Sequence, residues 1–306
     1  MTDARGAARL LPEAPGVYRF RDESGRVAYV GRATNLRTRV RSYWGDLPDR
    51  PQLRRMITTI ATVEAVVCAS AHEAAWLERN LLQRSLPRWN RIRGGTETPD
   101  WLVVDDDPHS PGLHLSFDAP TSAQEAFGPY LGYERSVLAR EALLRLYPLQ
   151  LTGSRPGASE RALADARGVS SDQRADFAHR LRAVLGRDPG ALADAEAGLV
   201  AARDRAVAQL AFETAQRVQL ELGGLAWITA EQRVTGCAPE DVRVCGWADG
   251  VQFSLVATQG RLDRWVVRAT EEAPGLRAAA RTPPEWQEFA RRNAELAATL
   301  ARAQSA

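Results

Sequence analysis

The segment AYVGRATNLRTRVRSYW, residues 28–44, passes from a strand-like run through Gly31 into a helix-like run, with Arg32, Arg37, Arg39 and Arg41 along it. A glycine and clustered guanidinium groups at a strand-to-helix junction suit a bound anion. Two chemistries stay open: a phosphate held on a binding surface, or half of a centre that cuts a phosphate backbone. Tyr18 and Tyr29 lie in β-like runs on either side of a Ser-Gly turn signal. If the turn is Glu23-Ser24 or Ser24-Gly25, both rings project from one sheet face, and a slip of one residue separates them. They are then either packing residues or the hydroxyls of a site. Arg39 and Tyr43, four apart on the next helix, share a face near that hairpin. Arg39 by itself reads as an ordinary phosphate or surface contact rather than as a catalytic group.

Glu78 is the acidic counterpart. On a wheel of 100° per residue with Leu77 at zero, Leu81, Ala74, Ala71, Leu82 and Ala75 fill an arc to about 160°, and Glu78 falls inside it at about 100°. His72, Glu73, Arg79, Asn80, Gln83 and Arg84 take the polar side, as does Trp76, which is either a partner contact or a partly covered surface residue. A carboxylate facing a core needs a partner. That partner is one of the many arginines or a divalent metal, since Mg²⁺ is commonly held by one carboxylate with waters and substrate phosphate.

The elements that must position these groups follow from local pattern. Residues 16–31 read as a hairpin, and Thr34 or Asn35 caps a helix through about Trp44. TVEAVVCAS (62–70) reads as a third strand, and Ser70-x-x-Glu73 as a capping box for a helix ending before Pro87. WLVV and LHLSF read as strands, FGPY as a loop, 136–146 as a helix and 152–170 as a linker. Helical stretches lie near 172–186 and 191–235, three short strands in 242–269, and a last helix capped by Thr282-Pro283-Pro284-Glu285. The expected fold is α/β: a small mixed or antiparallel sheet flanked by helices, then a mostly helical region and a small β extension.

Composition narrows the class. The chain has 306 residues, enough for about two ordinary domains. No run approaches the ~20 apolar residues of a membrane span, and the N-terminus lacks a signal-peptide core. Three scattered cysteines, Cys68, Cys237 and Cys245, fit a reducing cytoplasm better than a disulfide framework. Residues 1–95 hold 17 arginines against 9 acidic residues, a balance of +8 in a chain of net charge +2. A basic amino-terminal third is the footprint of a phosphate-backbone binder. All 40 basic residues are arginine. An arginine can therefore stand where a relative has lysine, and the two differ at a tight site.

PGVYRFRDESGRVAYVGRATNLRTRVRSYW resembles the opening of a GIY-YIG nuclease domain in the form found in UvrC, the bacterial excision-repair nuclease subunit. Gly16-Val17-Tyr18 and Tyr29-Val30-Gly31 stand at its two name-giving segments. The resemblance continues in SAHEAAWLERNLLQRSLPRWN, which places Glu78 and Asn90 as the family places its metal glutamate and a following asparagine. It continues through AFGPYLGYERSVLAREALLRLYPLQL, the UvrB-contacting type of motif LAFETAQRVQLEL with Phe212 and Glu213, and DVRVCGWADGVQFSLVATQGRLDRWVVRA. It divides the chain into a nuclease domain (1–100), a middle region and linker (101–190), a degenerate helical UVR-like segment (191–236), and a β extension with a C-terminal helix (237–306).

The resemblance implies hydrolysis of a DNA phosphodiester 3′ to a lesion in damaged duplex. Glu78 would hold one Mg²⁺ or Mn²⁺, Arg39 would stabilise the reacting phosphate, and Tyr29 or Tyr18 would help deprotonate water. Arg32, Tyr43 and Asn90 would support the site. Arg37, Arg41, Arg54, Arg55, Arg88 and Arg91 are the candidate DNA contacts. UvrB, with loading by UvrA, is the implied partner, in a bacterial cytoplasm at the nucleoid and without a membrane. Four departures stand out. Arg32 replaces the usual lysine; RGGTETPDW lacks the Asp-Asp-Lys-type run; the linker lacks a cysteine cluster, so no iron–sulfur cluster is expected; and Val218-Gln219 replace Arg-Asp. The chain stops where UvrC continues to a second nuclease, so the expectation is a single incision, as in the shorter Cho-like relatives. A catalytically weak DNA-binding adaptor is the alternative, and a homing nuclease ranks behind both.

Overall fold

The computed structural model describes residues 4–45, 51–121, 125–235, 241–270 and 282–305. The chain divides into two units, Met1–Thr96 with Glu231–Ala306, and Glu97–Ala230.

The first unit is built on three antiparallel strands: β1 (Gly16–Arg21) lies between β2 (Val27–Ala33) and β3 (Thr62–Val67). The β1–β2 turn is centred on Glu23-Ser24. Gly25 N donates to Asp22 O at 2.8 Å, and Asp22 N donates to Arg26 O at 3.0 Å. Gly25, at φ 76°, takes the left-handed position that such a turn requires. The register shifts between Phe20 and Arg21, after which Phe20 pairs with Tyr29 and Tyr18 with Gly31. Tyr18, Phe20 and Tyr29 therefore share one face.

Asn35, not Thr34, caps α2 (Leu36–Arg41), accepting from Thr38 N at 2.9 Å, and a 3₁₀ turn over Ser42–Trp44 carries Tyr43 inward. Two short helices that the pattern did not show, α1 (Ala4–Leu10) and α3 (Pro51–Ile57), flank it. In α4 (Ala71–Arg84), Ser70 Oγ accepts from Glu73 N at 2.9 Å, and Glu73 Oε2 accepts from Ala69 N at 2.7 Å.

The polar side expected for α4 is corrected by packing. His72, Glu73, Trp76 and Asn80 are all buried. Chain from the far end of the sequence covers them. Arg233 clamps Glu73 with Nε–Oε1 2.5 Å and Nη2–Oε2 3.0 Å, and Asn80 Nδ2 donates to Val234 O at 2.8 Å. The covering chain continues as an antiparallel sheet, β7 (Val242–Ala248), β8 (Val251–Thr258) and β9 (Arg261–Ala269), and a final helix α10 (Pro284–Ser305).

Helix α10 also closes an exposed edge. Asn293 exchanges hydrogen bonds with both backbone groups of Val67 (2.7 and 3.1 Å), and Gln304 does the same with Val63 (2.6 and 3.1 Å). Side-chain amides thus stand in for a fourth strand beside β3, where unpaired backbone groups would otherwise offer a template for association. Asn90 treats β2 likewise, pairing with Val30 N at 2.9 Å and Val30 O at 2.8 Å.

Among the described residues, the second unit pairs a small antiparallel sheet of order β5-β4-β6 (Gly112–Ser116, Asp100–Asp105, Ala126–Tyr130) with the helices α5 (Tyr133–Leu146), α6 (Ala158–Arg167), α7 (Arg174–Leu185), α8 (Pro189–Ala208) and α9 (Phe212–Thr229). FGPY is strand β6, paired to β4, rather than a loop, and the expected linker contains α6. The stretch expected as one helix over 191–235 breaks at Leu210, where φ is 57°. Gly224 lets α9 approach α5: a Cβ there would lie 2.6 Å from Leu138 Cβ.

One buried carboxylate in this unit sets a pH dependence. Asp100 has no exposed surface, and burial pushes its carboxyl up to about 6 against the opposing Ser136 hydroxyl, with a smaller upward push from Glu97. An unfolded aspartate titrates near 3.9, about two units lower. The fold therefore favours the protonated form: its contribution is complete below about pH 4 and is lost as pH rises through about 6. Asp100→Asn is expected to raise stability by about 2–3 kcal/mol at pH 7.5 and to change it little at pH 4. Urea unfolding at both pH values checks this; the same shift at both would exclude Asp100 as the source.

Candidate active site

Four aromatic rings form the floor of the site. Tyr18, Phe20 and Tyr29 come from the hairpin face, and the turn after α2 lowers Tyr43 onto them. Tyr43 lies 6.0 Å from Tyr18, 6.0 Å from Tyr29 and 5.2 Å from Phe20, centroid to centroid. The Tyr18 and Tyr43 hydroxyls share a hydrogen bond of 2.7 Å. Gly31 makes this possible, because a Cβ there would lie 2.5 Å from Tyr18 Oη and 2.7 Å from its Cζ. Gly31→Ala must displace a fully buried ring and is expected to cost about 1–3 kcal/mol. An unchanged urea midpoint would show that the ring moves aside freely.

Exposure separates the tyrosines. Tyr18 is fully buried and Tyr43 nearly so, whereas Tyr29 keeps a solvent-facing edge. Burial raises the Tyr18 hydroxyl well above its ordinary value, with Tyr43 and Tyr29 adding and Arg39 opposing. Tyr29 is raised by burial, then by Tyr43 and the nearby Glu78 carboxylate, again against Arg39. Both hydroxyls stay protonated through the neutral range. They are hydrogen-bonding groups here, not phenolates.

The charged groups sit at the rim. Arg39 is exposed, its guanidinium 5.1 Å from the centroid of the Tyr43 ring. That ring contact orients a long side chain while leaving its donors for an anion. Glu78 comes from α4 and is neither buried nor fully open, its side chain 22% exposed. Arg32 Nε lies 3.3 Å from Glu78 Oε2, so the arginine partner foreseen for this carboxylate is Arg32 of β2. Among the described residues no group of three or more His, Cys, Asp or Glu side chains could hold a metal ion. A lone half-exposed carboxylate fits a hard divalent cation that keeps most of its waters, and no more demanding centre.

Asn90 reaches the site through the backbone. Its amide pairs with Val30, between Tyr29 and Gly31, and Trp89 N donates to Ala28 O at 3.1 Å. A cleft of about 530 Å³ opens beside Tyr29, lined by Gln52, Leu53, Trp89, Asn90 and Arg91 among others. Gln52 and Trp89 were not singled out from sequence, although Trp89 lies inside the PRWN string.

The candidate DNA arginines fall into different settings. Arg41, Arg54, Arg55, Arg88 and Arg91 are exposed. Arg91 bonds Gln52, and Arg88 lies over the Trp89 ring at 5.4 Å. Arg37 is committed to structure, donating to Leu11 O at 2.6 Å and pairing with Glu13 at 2.8 Å. Phe212 and Glu213 begin α9 of the second unit, Phe212 exposed.

A family model described as a UvrC-like GIY-YIG domain matches residues 14–91. The UvrABC system protein C of Beutenbergia cavernae is 30% identical over 288 residues, covering 86% of this chain and 40% of that one. Its counterpart in Flavobacterium psychrophilum is 31% identical over 142 residues, covering 46% and 24%. The chain thus spans less than half the length of either relative. The solved N-terminal endonuclease domain of UvrC from Thermotoga maritima, bound to magnesium, is 34% identical, covering 30% of this chain and 100% of that one with a TM-score of 0.28. Residues 14–91, which carry every member of the tyrosine, arginine and glutamate cluster, are a GIY-YIG domain of the UvrC type.

Proposed function

We propose that the chain is a metal-dependent DNA endonuclease of the excision-repair type that hydrolyses one phosphodiester 3′ to a lesion. The observation that carries this is the convergence of Tyr29, Arg39 and Glu78 at one rim over the locked Tyr18–Tyr43 floor. Phosphodiester hydrolysis is very slow unaided, so charge stabilisation and positioning must supply most of the barrier lowering. Arg39 donates to the non-bridging oxygens of the reacting phosphate. Tyr29, protonated and partly exposed, orients the attacking water by hydrogen bonding, and the proton that the water loses leaves to bulk solvent at the open rim. Tyr18 lacks access to water and acts through Tyr43. Asn90 holds the strand that presents Tyr29. A divalent cation such as Mg²⁺ or Mn²⁺, held by Glu78, would supply positive charge at the leaving oxygen.

Damaged duplex is the proposed substrate, and UvrB, loaded by UvrA, the proposed partner. The exposed apolar side chains of Leu210 and Phe212, where α8 meets α9, support the latter. The test is an end-labelled duplex carrying one bulky adduct, incubated with Mg²⁺ with and without UvrA and UvrB. One cut 3′ to the adduct is expected. Binding without cutting in every lane would sink the nuclease reading.

One observation favours the second reading, a DNA-binding adaptor. The Arg32 guanidinium already occupies the Glu78 carboxylate and competes with a cation. A partly exposed pair of this kind is worth up to about 1 kcal/mol, or about fivefold in affinity. Arg32→Gln is therefore expected to lower the half-saturating Mg²⁺ concentration for cleavage by up to about fivefold. An unchanged titration would mean that Arg32 does not compete.

A further inference from the structure

Outside the site just described, α1 and α2 enclose a second cleft of about 480 Å³, lined by Arg5, Arg9, Thr38, Arg41, Ser42 and Trp44 among others. Its charge is unbalanced. Arg5, Arg9 and Arg41 are exposed, and their guanidinium groups make no ion pair or hydrogen bond among the described residues. Other exposed arginines, such as Arg26, Arg291 and Arg302, are paired to carboxylates, and what sets these three apart is that they line one concavity together. Three unneutralised cations around one concavity repel each other, and a polyanion relieves that repulsion. Thr38 and Ser42 add hydroxyls at the same wall, and half-buried Trp44, its ring 5.9 Å from Phe20, gives an apolar side against which a sugar or base can lie.

The position relative to the rim bears on what binds. Arg41 is turned about 200° around α2 from Arg39, on a helix about 10–12 Å across with its side chains. A strand held at Arg39 must pass α2 to reach this cleft, so the cleft meets DNA beside the reacting phosphate rather than at it. We infer that Arg5, Arg9 and Arg41 form a phosphate-tracking groove that holds the DNA strand flanking the scissile bond. This rests on the nuclease reading for the position of the cut, but the groove's binding of DNA can be measured without cleavage.

The test compares the wild-type chain, the triple variant Arg5→Gln/Arg9→Gln/Arg41→Gln, and a control, Arg26→Gln/Arg291→Gln/Arg302→Gln, which removes the same charge from paired positions. Binding to a fluorescent duplex of about 30 base pairs is followed by anisotropy across a salt series without Mg²⁺. Each lost phosphate contact reduces the magnitude of the slope of log K against log salt by about 0.9, so the groove variant is expected to lose about 2.7 and the control less than about 1. Equal changes in the two variants would overturn the groove. If the wild type cuts and the groove variant keeps the wild-type slope, the groove fails and the nuclease reading stands. If the slope falls as expected but the wild type cuts nothing, the groove stands and the nuclease reading fails. A wild type that does not bind duplex overturns both.

Discussion

Replacing Glu78 with glutamine is expected to lower adduct-directed cleavage by about a thousandfold while leaving the unfolding midpoint unchanged. The magnitude is that of losing one strong electrostatic stabiliser of a reacting phosphate, roughly 3–4 kcal/mol. The amide keeps the volume and one oxygen but removes the charge that would hold the cation. Because the Glu78 side chain is 22% exposed and leans on Arg32 without burying it, the fold has little at stake in its charge. Single-turnover cleavage at saturating Mg²⁺ and a urea melt of the same preparation test both halves. Cleavage within about threefold of wild type, well short of the loss expected of a metal ligand, would remove Glu78 from the chemistry. A large drop in stability would assign it to structure.

Glu73, five residues earlier on the same helix, is expected to behave in the opposite way. Its carboxylate is almost wholly buried and gripped at both oxygens by Arg233. The guanidinium in turn lies 4.6 Å from the Trp286 ring and 4.7 Å from the Phe289 ring. Glu73→Ala leaves that cation only the exposed Glu231 carboxylate, 3.6 Å away, and breaking a buried pair from one side typically costs about 3–5 kcal/mol. Chemical denaturation checks the loss, and Arg233→Met added to Glu73→Ala is expected to recover part of it by removing the stranded charge. A loss below about 1 kcal/mol would show that the pair contributes no more than a surface bridge.

The same pair shows what the carboxyl-terminal chain does for the GIY-YIG segment. Arg233, Asn293 and Gln304 lie more than 150 residues beyond the helix and strand they complete. They neutralise a buried carboxylate and cap the β3 edge. Arg19 of β1 belongs to this arrangement: it pairs with Glu64 and lies 4.0 Å from the Trp265 ring.

What the sequence determined by itself was local. Asp22-Glu23-Ser24-Gly25 specified a turn whose length places Tyr18 and Tyr29 on one face, because strand parity is set by residue count. Ser70 and Glu73 marked the start of α4, whereas Tyr43 reaches the hairpin through the 3₁₀ turn after α2 and not through helical spacing from Arg39. The resemblance through residue 91 identified the domain. Tertiary structure decided what periodicity does not encode. The wheel for α4 separated a polar side from an apolar one, yet His72, Glu73, Trp76 and Asn80 are buried because distant chain covers them. Burial depends on what packs against a face, and propensity within a helix carries no information about that. Which arginine meets Glu78, and which arginines remain unpaired at the α1–α2 cleft, were equally invisible. All are arginine, and position in three dimensions assigns them different partners.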